Sequence, residues 1–550
     1  MDGSHGTDLT TLLVGIDAGC QSVLEPLFEA DELPNLRSVF QGGVSGPLES
    51  QIPPWTASAW PSMYTGKNPG KHGVFGFLHF DGYEEDVVNA TRVREPSLWE
   101  LLDYHGLTSV VVNVPVTSPP KSFDGALVPG YVAPENPPCH PDGLLEDVRD
   151  ELGEYRVYAD IDETKDEATY RSLVRSRGEA FRYLADRFDP DFGFVEFQQT
   201  DSVFHEHPGD DELVRAVYRE VDEQVGRILD EHDPANVVVA SDHGMGPYDR
   251  YEFRVNEFLR DEGYVEATQG GEGMPSWVKI RENRLHEGDA GDQPPDADAD
   301  TDAGRGSPLE TAVSTAARFG LTTERVAAAL RKVGLDAAVA RVVPENVQSA
   351  GMSRVSFPES KAYMRDLIEL GVRINLEGRE PDGTVPQAKY EDVRDELIEA
   401  LRSVRTPDGD PVFEDVARRE KYFYGPEAEN AVDVVTVPSN FDHYLSAQLY
   451  GEQFGEPTEP WNHKRFGIVA ARGDAIDESA GVRGAHLFDV APTVLATFGL
   501  PADERMDGDP LDAVEAAGET EYPDFDSGET VETDDDAVEQ RLSDLGYLDN

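Results

Sequence analysis

Two short strings place an aspartate and a histidine directly after apolar runs that are typical of buried strands. TDSVFH closes the run that begins at Phe192, and SDHG closes the run that begins at Asn236. Carboxylate and imidazole are the ligand types that suit zinc-like divalent metals. Because sites in open α/β sheets form beyond the carboxyl ends of strands, the two strings predict a metal-binding edge.

The spacing within each string predicts how its two ligands are presented. Asp201 and His205 are four residues apart, which puts them on one face of a helical turn. Asp242 and His243 are adjacent, so both can reach one site only where the strand breaks into a turn, as Gly244 indicates.

Two residues nearer the N-terminus fit the same chemistry. Asp17 ends the predicted first strand, and Thr56 follows a Pro-Pro-Trp turn at the start of a predicted helix. A hydroxyl at a helix N-terminus lies at the positive end of the dipole, which favours an alkoxide and an incoming anion. Taken alone, each residue is more simply interpreted as a helix cap.

A third histidine would complete two ligand sets. His463 is the best candidate because it lies just before a late strand-like run, whereas His443 and His486 are less well placed and His72 belongs to the loop after Thr56. The resulting hypothesis assigns one metal to Asp17, Thr56, Asp242 and His243, and a second metal to Asp201, His205 and His463.

The elements that must position these residues alternate between apolar runs and amphipathic stretches. The region between the two strings, Leu213–His232, has a helical pattern of apolar residues. Continuous apolar strands separated by helices predict an α/β fold with a mostly parallel sheet covered on both faces. The predicted strands are Thr11–Asp17, Ser109–Pro115, Phe192–Asp201, Asn236–His243 and Phe466–Gly473.

The chain divides into a catalytic core, an inserted cap and an acidic tail. The cap includes an acidic, Pro/Gly-rich part that predicts disorder, and then helical patterns over Leu309–Val343. The tail ends in a predicted short C-terminal helix, VEQRLSDLGYL. The predicted boundaries are 8–265 and 460–510 for the core, 266–459 for the cap, 286–308 for its disordered part, and 511–550 for the tail.

The charge of the chain indicates its environment and excludes one class of partner. The formal net charge is −62, with 109 acidic residues against 47 basic ones. The 20 Tyr and 24 Phe are too many for a disordered acidic protein. A folded, carboxylate-rich and Lys-poor surface is typical of salt-loving organisms, and it disfavours nucleic-acid binding.

The remaining composition places few further limits on the protein. Cys20 and Cys139 are isolated, so they predict neither a disulfide framework nor a thiolate metal site. The N-terminal segment has no basic region typical of a signal peptide, and no run approaches the ~20 apolar residues of a membrane span. We therefore expect a cytoplasmic protein, and the sequence leaves its oligomeric state open.

The order of these residues resembles the alkaline phosphatase superfamily, and within it the type I phosphodiesterase/nucleotide pyrophosphatase family. The similar segments are Leu12–Phe77, Phe192–Phe258 and His463–Gly508. The resemblance implies a three-layer alkaline-phosphatase-like fold and two divalent ions about 4 Å apart, zinc or alternatively manganese. It also implies that Thr56 attacks a small phosphoester and forms a phospho-threonine intermediate. A halophilic, archaeal-type member of this family fits the composition.

One position departs from the family pattern. The nucleotide pyrophosphatases carry an Asn 21 residues after the nucleophile, where this chain has Phe77. Phosphoryl recognition must therefore differ, with Lys67, Lys71 and Asn113 as candidate replacement donors. Trp55 and Phe77, together with Trp60, are large enough to contact the substrate, although core packing is the simpler interpretation of such residues.

Two other functions remain open at this point. A phosphotransferase would pass the group from Thr56 to a sugar or lipid head group. A catalytically silent metal-binding scaffold would instead use its acidic insertion and tail to recruit partners, although a full ligand set argues against it. Sulfatase activity is disfavoured because the region around Thr56 lacks the Cys or Ser motif of sulfatases. The sequence does not distinguish a monoester from a diester substrate.

The net charge generates a prediction about salt. We expect the thermal unfolding midpoint to rise when KCl is raised from about 0.1 M to about 1 M, because the Debye length falls from ~10 Å to ~3 Å. Circular dichroism melts would measure the midpoint, with sorbitol at matched osmolality as the control. A midpoint that is independent of KCl would contradict the prediction.

Overall fold

A seven-stranded sheet lies at the centre of the computed structural model, which describes residues 9–159, 163–269, 353–523, 530–531, 538 and 541–542. The twelve α-helices of the described residues are α1 Gln21–Glu29, α2 Pro34–Gln41, α3 Thr56–Thr65, α4 Pro69–His72, α5 Leu98–Tyr104, α6 Leu144–Leu152, α7 Glu167–Phe188, α8 Gln199–Glu206, α9 Asp211–His232, α10 Val255–Asp261, α11 Tyr390–Ser403 and α12 Val490–Thr497.

The described strands are β1 Thr11–Ile16, β2 Val44–Glu49, β3 Leu78–Asp81, β4 Glu84–Val87, β5 Ser109–Val112, β6 Gly125–Val128, β7 Phe192–Phe197, β8 Asn236–Ala240, β9 Gly244–Pro247, β10 Glu252–Arg254, β11 Ala267–Gln269, β12 Ser353–Val355, β13 Ala362–Tyr363, β14 Gly371–Ile374, β15 Phe413–Arg418, β16 Val434–Pro438, β17 Tyr444–Ser446, β18 Phe454–Gly455, β19 Trp461–Lys464, β20 Phe466–Gly473, β21 Ala502–Asp503 and β22 Glu519–Thr520.

The central sheet has the strand order β2-β20-β8-β1-β7-β5-β6. Strands β8, β1, β7, β5 and β6 run parallel to one another, whereas β20 is antiparallel to both of its neighbours. Strands β1, β7 and β8 are buried along their whole length, as the continuous apolar runs predict. The carboxyl ends of these three neighbouring strands therefore meet at one edge of the sheet.

Helices cover both faces of the sheet and form the outer layers. On one face, Phe181 of α7 contacts the backbone at Gly193, which leaves room for the ring because it has no side chain. On the other face, Trp60 of α3 contacts Phe194, and Thr497 of α12 bonds Thr11 with 2.7 Å between the hydroxyl oxygens. These contacts confirm the three-layer α/β architecture with a mostly parallel sheet.

The predicted strands are longer than the observed ones at the edge that holds the site. Strand β7 ends at Phe197, and Asp201 lies in the first turn of α8 rather than at a strand end. The Thr200 hydroxyl lies 2.7 Å from the carbonyl oxygens of both Phe197 and Asp17, which fixes the start of α8 against the end of β1. Strand β8 likewise ends at Ala240, before Asp242.

The predicted cap contains a second sheet with the strand order β13-β14-β16-β15, packed against α11. Its buried Asp433 accepts hydrogen bonds from Arg379 and Arg419 at 2.6 to 3.2 Å. Strand β10, from the predicted core, pairs with β17 and β18 of the cap, so the two regions share a sheet. The predicted disordered part, 286–308, and the helical patterns of Leu309–Val343 lie outside the described residues.

The acidic tail contacts the core through a few described residues. Val538 and Leu542 are buried, and both have helical backbone, but most of the predicted C-terminal helix lies outside the described residues. Within the part of the chain that the structure describes, no helix combines the length and apolar character needed to cross a bilayer.

The packing of α3 on β1 generates a stability prediction. A methyl group at Gly15 would lie 2.6 Å from Cη2 of Trp60, so Gly15→Ala must displace the indole ring. We expect the free energy of unfolding to fall by about 1–3 kcal/mol, measured by denaturant titration. Gly481→Ala is the matched control, because a methyl group there would meet nothing within 4 Å. Equal stability of the two variants would argue against this packing constraint.

Candidate metal-binding active site

Seven side chains from distant parts of the sequence converge beyond the carboxyl edge of the central sheet. None of these side chains is more than 1% exposed, so the site is largely shielded from water. They come from the ends of β1 and β8, the start of α3, the helix α8 and the strand β19. The residues are Asp17, Thr56, Asp201, His205, Asp242, His243 and His463.

The first cluster contains two carboxylates and one imidazole. Nε2 of His243 lies 3.4 Å from Oδ1 of Asp17 and 3.2 Å from Oδ2 of Asp242. Nδ1 of His243 donates to the carbonyl of Gly244 at 3.0 Å, which leaves Nε2 with its lone pair in the neutral tautomer. Neither carboxylate oxygen has a hydrogen-bond donor among the described residues. Three lone-pair donors therefore face one point, as a bound cation requires.

Thr56 lies at the edge of this first cluster. Its Oγ1 is 3.2 Å from Nε2 of His243, and Thr56 is the first residue of α3. Trp55, the preceding residue, has extended backbone angles, so the helix begins abruptly at the site. The hydroxyl therefore lies both beside the ligand cluster and at the positive end of the helix dipole.

The second cluster contains one carboxylate and two imidazoles. Oδ1 of Asp201 lies 3.3 Å from Nε2 of His205 and 3.4 Å from Nε2 of His463, and the two imidazole nitrogens are 3.2 Å apart. The Nδ1 of His463 donates to the carbonyl of Pro54 at 3.0 Å, which directs its Nε2 into the cluster. The predicted helical pair, Asp201 and His205, thus presents both side chains to one point.

The two clusters are adjacent. The rings of His243 and His463 stack with 3.7 Å between their centroids. The ligand atoms of Asp201, His243 and His463 also lie within 4.8 Å of one another, as do those of Asp17, Asp242 and His243. The arrangement therefore offers two neighbouring positions for divalent ions.

Electrostatics distinguish the two clusters in the absence of metal. Burial and the charges of neighbouring carboxylates raise the pKa of Asp17 and of Asp242 well above the usual value. Burial and the nearby His463 lower the pKa of His243. In the second cluster burial acts against charge, but Asp201 and Glu459 together raise the pKa of His205 to about 10. The first cluster is thus the one whose carboxylates have no compensating cation among the described residues.

The donor set fits a divalent metal of the zinc type. Neutral imidazole nitrogens and carboxylate oxygens are its preferred protein ligands, and Oδ1 of Asp17 and Oδ2 of Asp242 have no hydrogen-bond donor among the described residues. Magnesium fits less well, because it prefers an all-oxygen, partly hydrated shell.

The structure gives the four predicted substrate-binding residues different environments. Lys67 lies just past the C-terminal end of α3, whereas Thr56 lies at its N-terminal end. Lys67 is fully buried, and its Nζ is 2.6 Å from Glu95 and 2.8 Å from Asp503. Asn113 donates to Glu196 at 2.6 Å. Those two therefore bind other side chains.

The two aromatic candidates are both buried. Phe77 packs edge-on against Tyr131, with 6.1 Å between ring centroids. Trp55 lies beside the second cluster, with its ring 5.1 Å from that of His463. Trp55 thus contacts a proposed ligand, His463.

Two residues support the site in ways that the sequence did not reveal. Trp60, interpreted as packing, donates from Nε1 to Oδ2 of Asp17 at 3.2 Å and so orients this carboxylate. Glu459, known from the sequence only as a cap boundary, lies 3.3 Å from Nδ1 of His205. Glu459 lies four residues before His463 in EPWNH, which is the sequence feature that could have indicated a role near the site. Its contact with His205, however, depends on the fold.

A family model described as type I phosphodiesterase / nucleotide pyrophosphatase matches residues 11–304, which is more than half of the chain. The chain belongs to this family. Membership makes the protein a phosphoester hydrolase. No curated sequence matches the chain.

Solved structures support the fold. Phosphonoacetate hydrolase from Sinorhizobium meliloti 1021 in complex with phosphonoformate superposes with a TM-score of 0.54 at 14% identity, over 88% of this chain and 94% of that one. The complex of the same enzyme with phosphonoacetate gives a TM-score of 0.54 at 15% identity, with the same coverage. This chain therefore shares the fold of phosphonoacetate hydrolase although their sequences are only 14% to 15% identical.

The uncompensated charge of the first cluster generates a stability prediction. A carboxyl whose pKa rises on folding destabilises the folded state at pH values above its unfolded pKa. Asp242→Asn removes one such charge, so we expect the metal-free protein to gain about 1–3 kcal/mol in its free energy of unfolding at pH 8. With metal present, the wild-type protein should instead be more stable, because the variant has lost a ligand.

Thermal melts with and without a chelator would show whether the more stable protein changes from the variant to the wild type when metal is bound. Asp230→Asn, at an exposed position of α9, is the isosteric control. Its stability relative to wild type should be the same with and without metal. A variant that is less stable than wild type in both conditions would refute the interpretation.

Proposed function

We propose that this protein hydrolyses a small phosphoester with Thr56 as nucleophile and two bound divalent ions, zinc or alternatively manganese. One ion is held by Asp17, Thr56, Asp242 and His243, and the other by Asp201, His205 and His463. The observation on which the proposal rests is the 3.2 Å distance between Oγ1 of Thr56 and Nε2 of His243. Two buried carboxylate oxygens, which have no hydrogen-bond donor in the described part of the chain, lie beside this pair.

The surroundings of Thr56 favour reaction at its oxygen. Divalent ions bound at these positions would lower the pKa of the Thr56 hydroxyl and stabilise negative charge on the phosphoryl and leaving oxygens. The N-terminus of the ten-residue helix α3 acts in the same direction, because its dipole favours negative charge on the hydroxyl oxygen.

Two displacements at phosphorus complete the reaction. In the first, the bond from Oγ1 of Thr56 to phosphorus forms while the bond to the leaving oxygen breaks, and the Thr56 proton is released to water. The departing alkoxide takes a proton from water and leaves as an alcohol. In the second, a water oxygen attacks phosphorus, the bond to Oγ1 breaks, and Thr56 regains its proton. The net change is ester plus water to phosphate plus alcohol.

The start of α3 is also the best-placed group to bind the phosphoryl oxygens. Phe77 occupies the position of the family's Asn and has no polar side-chain atom, while Lys67 and Asn113 bond other residues. The first amide groups of a helix have no intrahelical acceptor, so those of Thr56 and Ala57 are available for an anion. Trp55, at the other side of Thr56, would pack against the bound substrate.

Two broader assignments belong to this proposal. The net charge of −62 supports a halophilic, archaeal-type enzyme. Residues 8–265 and 460–510 would form the catalytic core, the cap at 266–459 would contribute to substrate choice, and the tail at 511–550 would be a separate acidic segment.

The role of Thr56 can be tested by two substitutions. We expect Thr56→Ala to reduce turnover of para-nitrophenyl phosphate or its bis ester at least about a thousandfold, because no nucleophile remains. Thr56→Ser should keep measurable turnover because it retains a hydroxyl. Both variants should keep the wild-type fold by circular dichroism, and elemental analysis should find two equivalents of zinc or manganese in the wild-type protein.

The comparison separates the nucleophile from the metal ligands. Turnover by Thr56→Ala at a rate near that of wild type would exclude Thr56 as the nucleophile. A wild-type protein with fewer than two equivalents of metal at saturation would contradict the two-ion arrangement.

A further inference from the structure

A pocket lies beside the candidate active site, on the flank of α8. It has about 580 Å³ of empty space, a figure that includes open solvent. Helix α8 contributes Asp201 and His205 to the metal ligands, while its neighbouring positions Gln199 and Ser202 face the pocket. The pocket lining includes Tyr131, Tyr158, Lys165, Tyr170, Gln199 and Arg541.

The pocket is electrostatically coupled to the candidate active site. The charges of Asp201 and Asp17 contribute, after burial, to raising the pKa of Tyr131. Burial is also the main cause that raises the pKa of Tyr170, and the charges of Glu206 and Asp201 add to it. Tyr131 also contacts Phe77, at the position where the family's phosphoryl-binding Asn is absent. Helix α8 and the contact between Tyr131 and Phe77 thus link the pocket to the surroundings of the candidate active site.

One cationic group in the pocket has no acidic partner among the residues that the structure describes. Lys165 forms an ion pair with Glu206, which also accepts a hydrogen bond from Tyr170. Arg541 stacks on Tyr158, with 3.9 Å from its Cζ to the ring centroid. Its Nε and Nη1 atoms are buried, and no described residue accepts a hydrogen bond from them.

A polar acceptor lies in the same pocket. Gln199 is 2% exposed, and its Oε1 receives no hydrogen bond from a described residue. Its Nε2 donates to Gln198 at 3.3 Å, which directs the oxygen away from that neighbour. Within the described part of the chain, the pocket thus combines two guanidinium nitrogens and one amide oxygen that have no hydrogen-bond partner.

We infer that Arg541 is a specificity-determining residue, which binds a second oxyanion, a carboxylate or a phosphate, on the substrate's alcohol portion. Buried guanidinium nitrogens without an acceptor are costly, and an oxyanion is the group that the planar array of Arg donors binds best. Gln199 would accept a hydrogen bond from a hydroxyl or amine beside that oxyanion. Val538 and Leu542, which precede and follow Arg541 in the sequence, are buried in the core.

The inference rests on the proposed function and is tested with matched pairs of esters. Phosphoserine and phosphoethanolamine differ only by a carboxylate, and glycerophosphoserine and glycerophosphoethanolamine are the corresponding diesters. Fructose 1,6-bisphosphate and fructose 1-phosphate provide the phosphate arm. We expect the wild-type enzyme to have the higher kcat/KM for the ester that carries the second oxyanion, in either the carboxylate pairs or the phosphate pair. The pair that shows this preference identifies the oxyanion as a carboxylate or a phosphate.

The variants locate that preference at Arg541. In Arg541→Gln the preference should fall about tenfold or more, mainly through KM, because a hydrogen bond to a charged group is lost. Arg541→Lys should retain part of it. Arg483→Ala, at an exposed position outside the pocket, removes the same charge and should leave the preference unchanged. An equal loss on both members of a pair, or no loss, would overturn the inference.

Binding distinguishes failure of this inference from failure of the proposed function. Calorimetry of phosphoserine, fructose 1,6-bisphosphate and their partners with Thr56→Ala protein measures oxyanion recognition without turnover. If the wild-type protein hydrolyses para-nitrophenyl esters but shows no preference within any matched pair, the oxyanion subsite is rejected and the proposed function stands. Inactivity on every ester would reject the proposed function, and the binding preference with its dependence on Arg541 would still decide the subsite.

Discussion

The burial of several carboxylates in one small volume is the constraint around which the rest of the site is organised. Asp17, Asp201 and Asp242 are all fully buried, and removing ionised carboxylates from water costs several kcal/mol each unless a cation or hydrogen bonds compensate. His205 provides partial compensation for Asp201. The oxygens of Asp17 and Asp242 that face His243 have no such partner among the described residues. A site of this kind is stable only with bound cations or with protons taken up in their place.

The surrounding layer makes the ligand atoms available for cations. Carbonyl oxygens of Gly244 and Pro54 accept the Nδ1 protons of His243 and His463, so both imidazoles direct lone pairs into the site. The indole of Trp60 fixes the Asp17 carboxylate, and the absence of a side chain at Gly15 leaves space for that indole. The position of one ligand therefore depends on close packing between β1 and α3, and not on local sequence alone.

Helix α8 connects chemistry with substrate selection. One of its faces presents Asp201 and His205 to the metal positions, and another presents Gln199 and Ser202 to the pocket that contains Arg541. Since these faces belong to one rigid element, a ligand in the pocket would be held at a fixed distance from the metal ligands. The division also agrees with the position of Phe77, where the chain departs from its family at a residue that contacts the pocket through Tyr131. In the proposed enzyme, substrate choice and bond cleavage thus depend on separate residues that share a helix.

The sequence by itself determined the α/β class and the candidate ligands, because buried parallel strands have continuous apolar runs and because Asp201 and His205 have helical spacing. Strand β20 and helix α9 were also predicted closely, since their apolar patterns are long and regular. Contacts between distant segments decided the rest. Lys67 is neutralised by Asp503, Trp60 orients Asp17, and Arg541 reaches a pocket that contains Tyr131. Periodicity and motif spacing describe neighbours along the chain, whereas burial, ion pairing and tautomer choice depend on which remote groups the folded chain brings within a few ångströms.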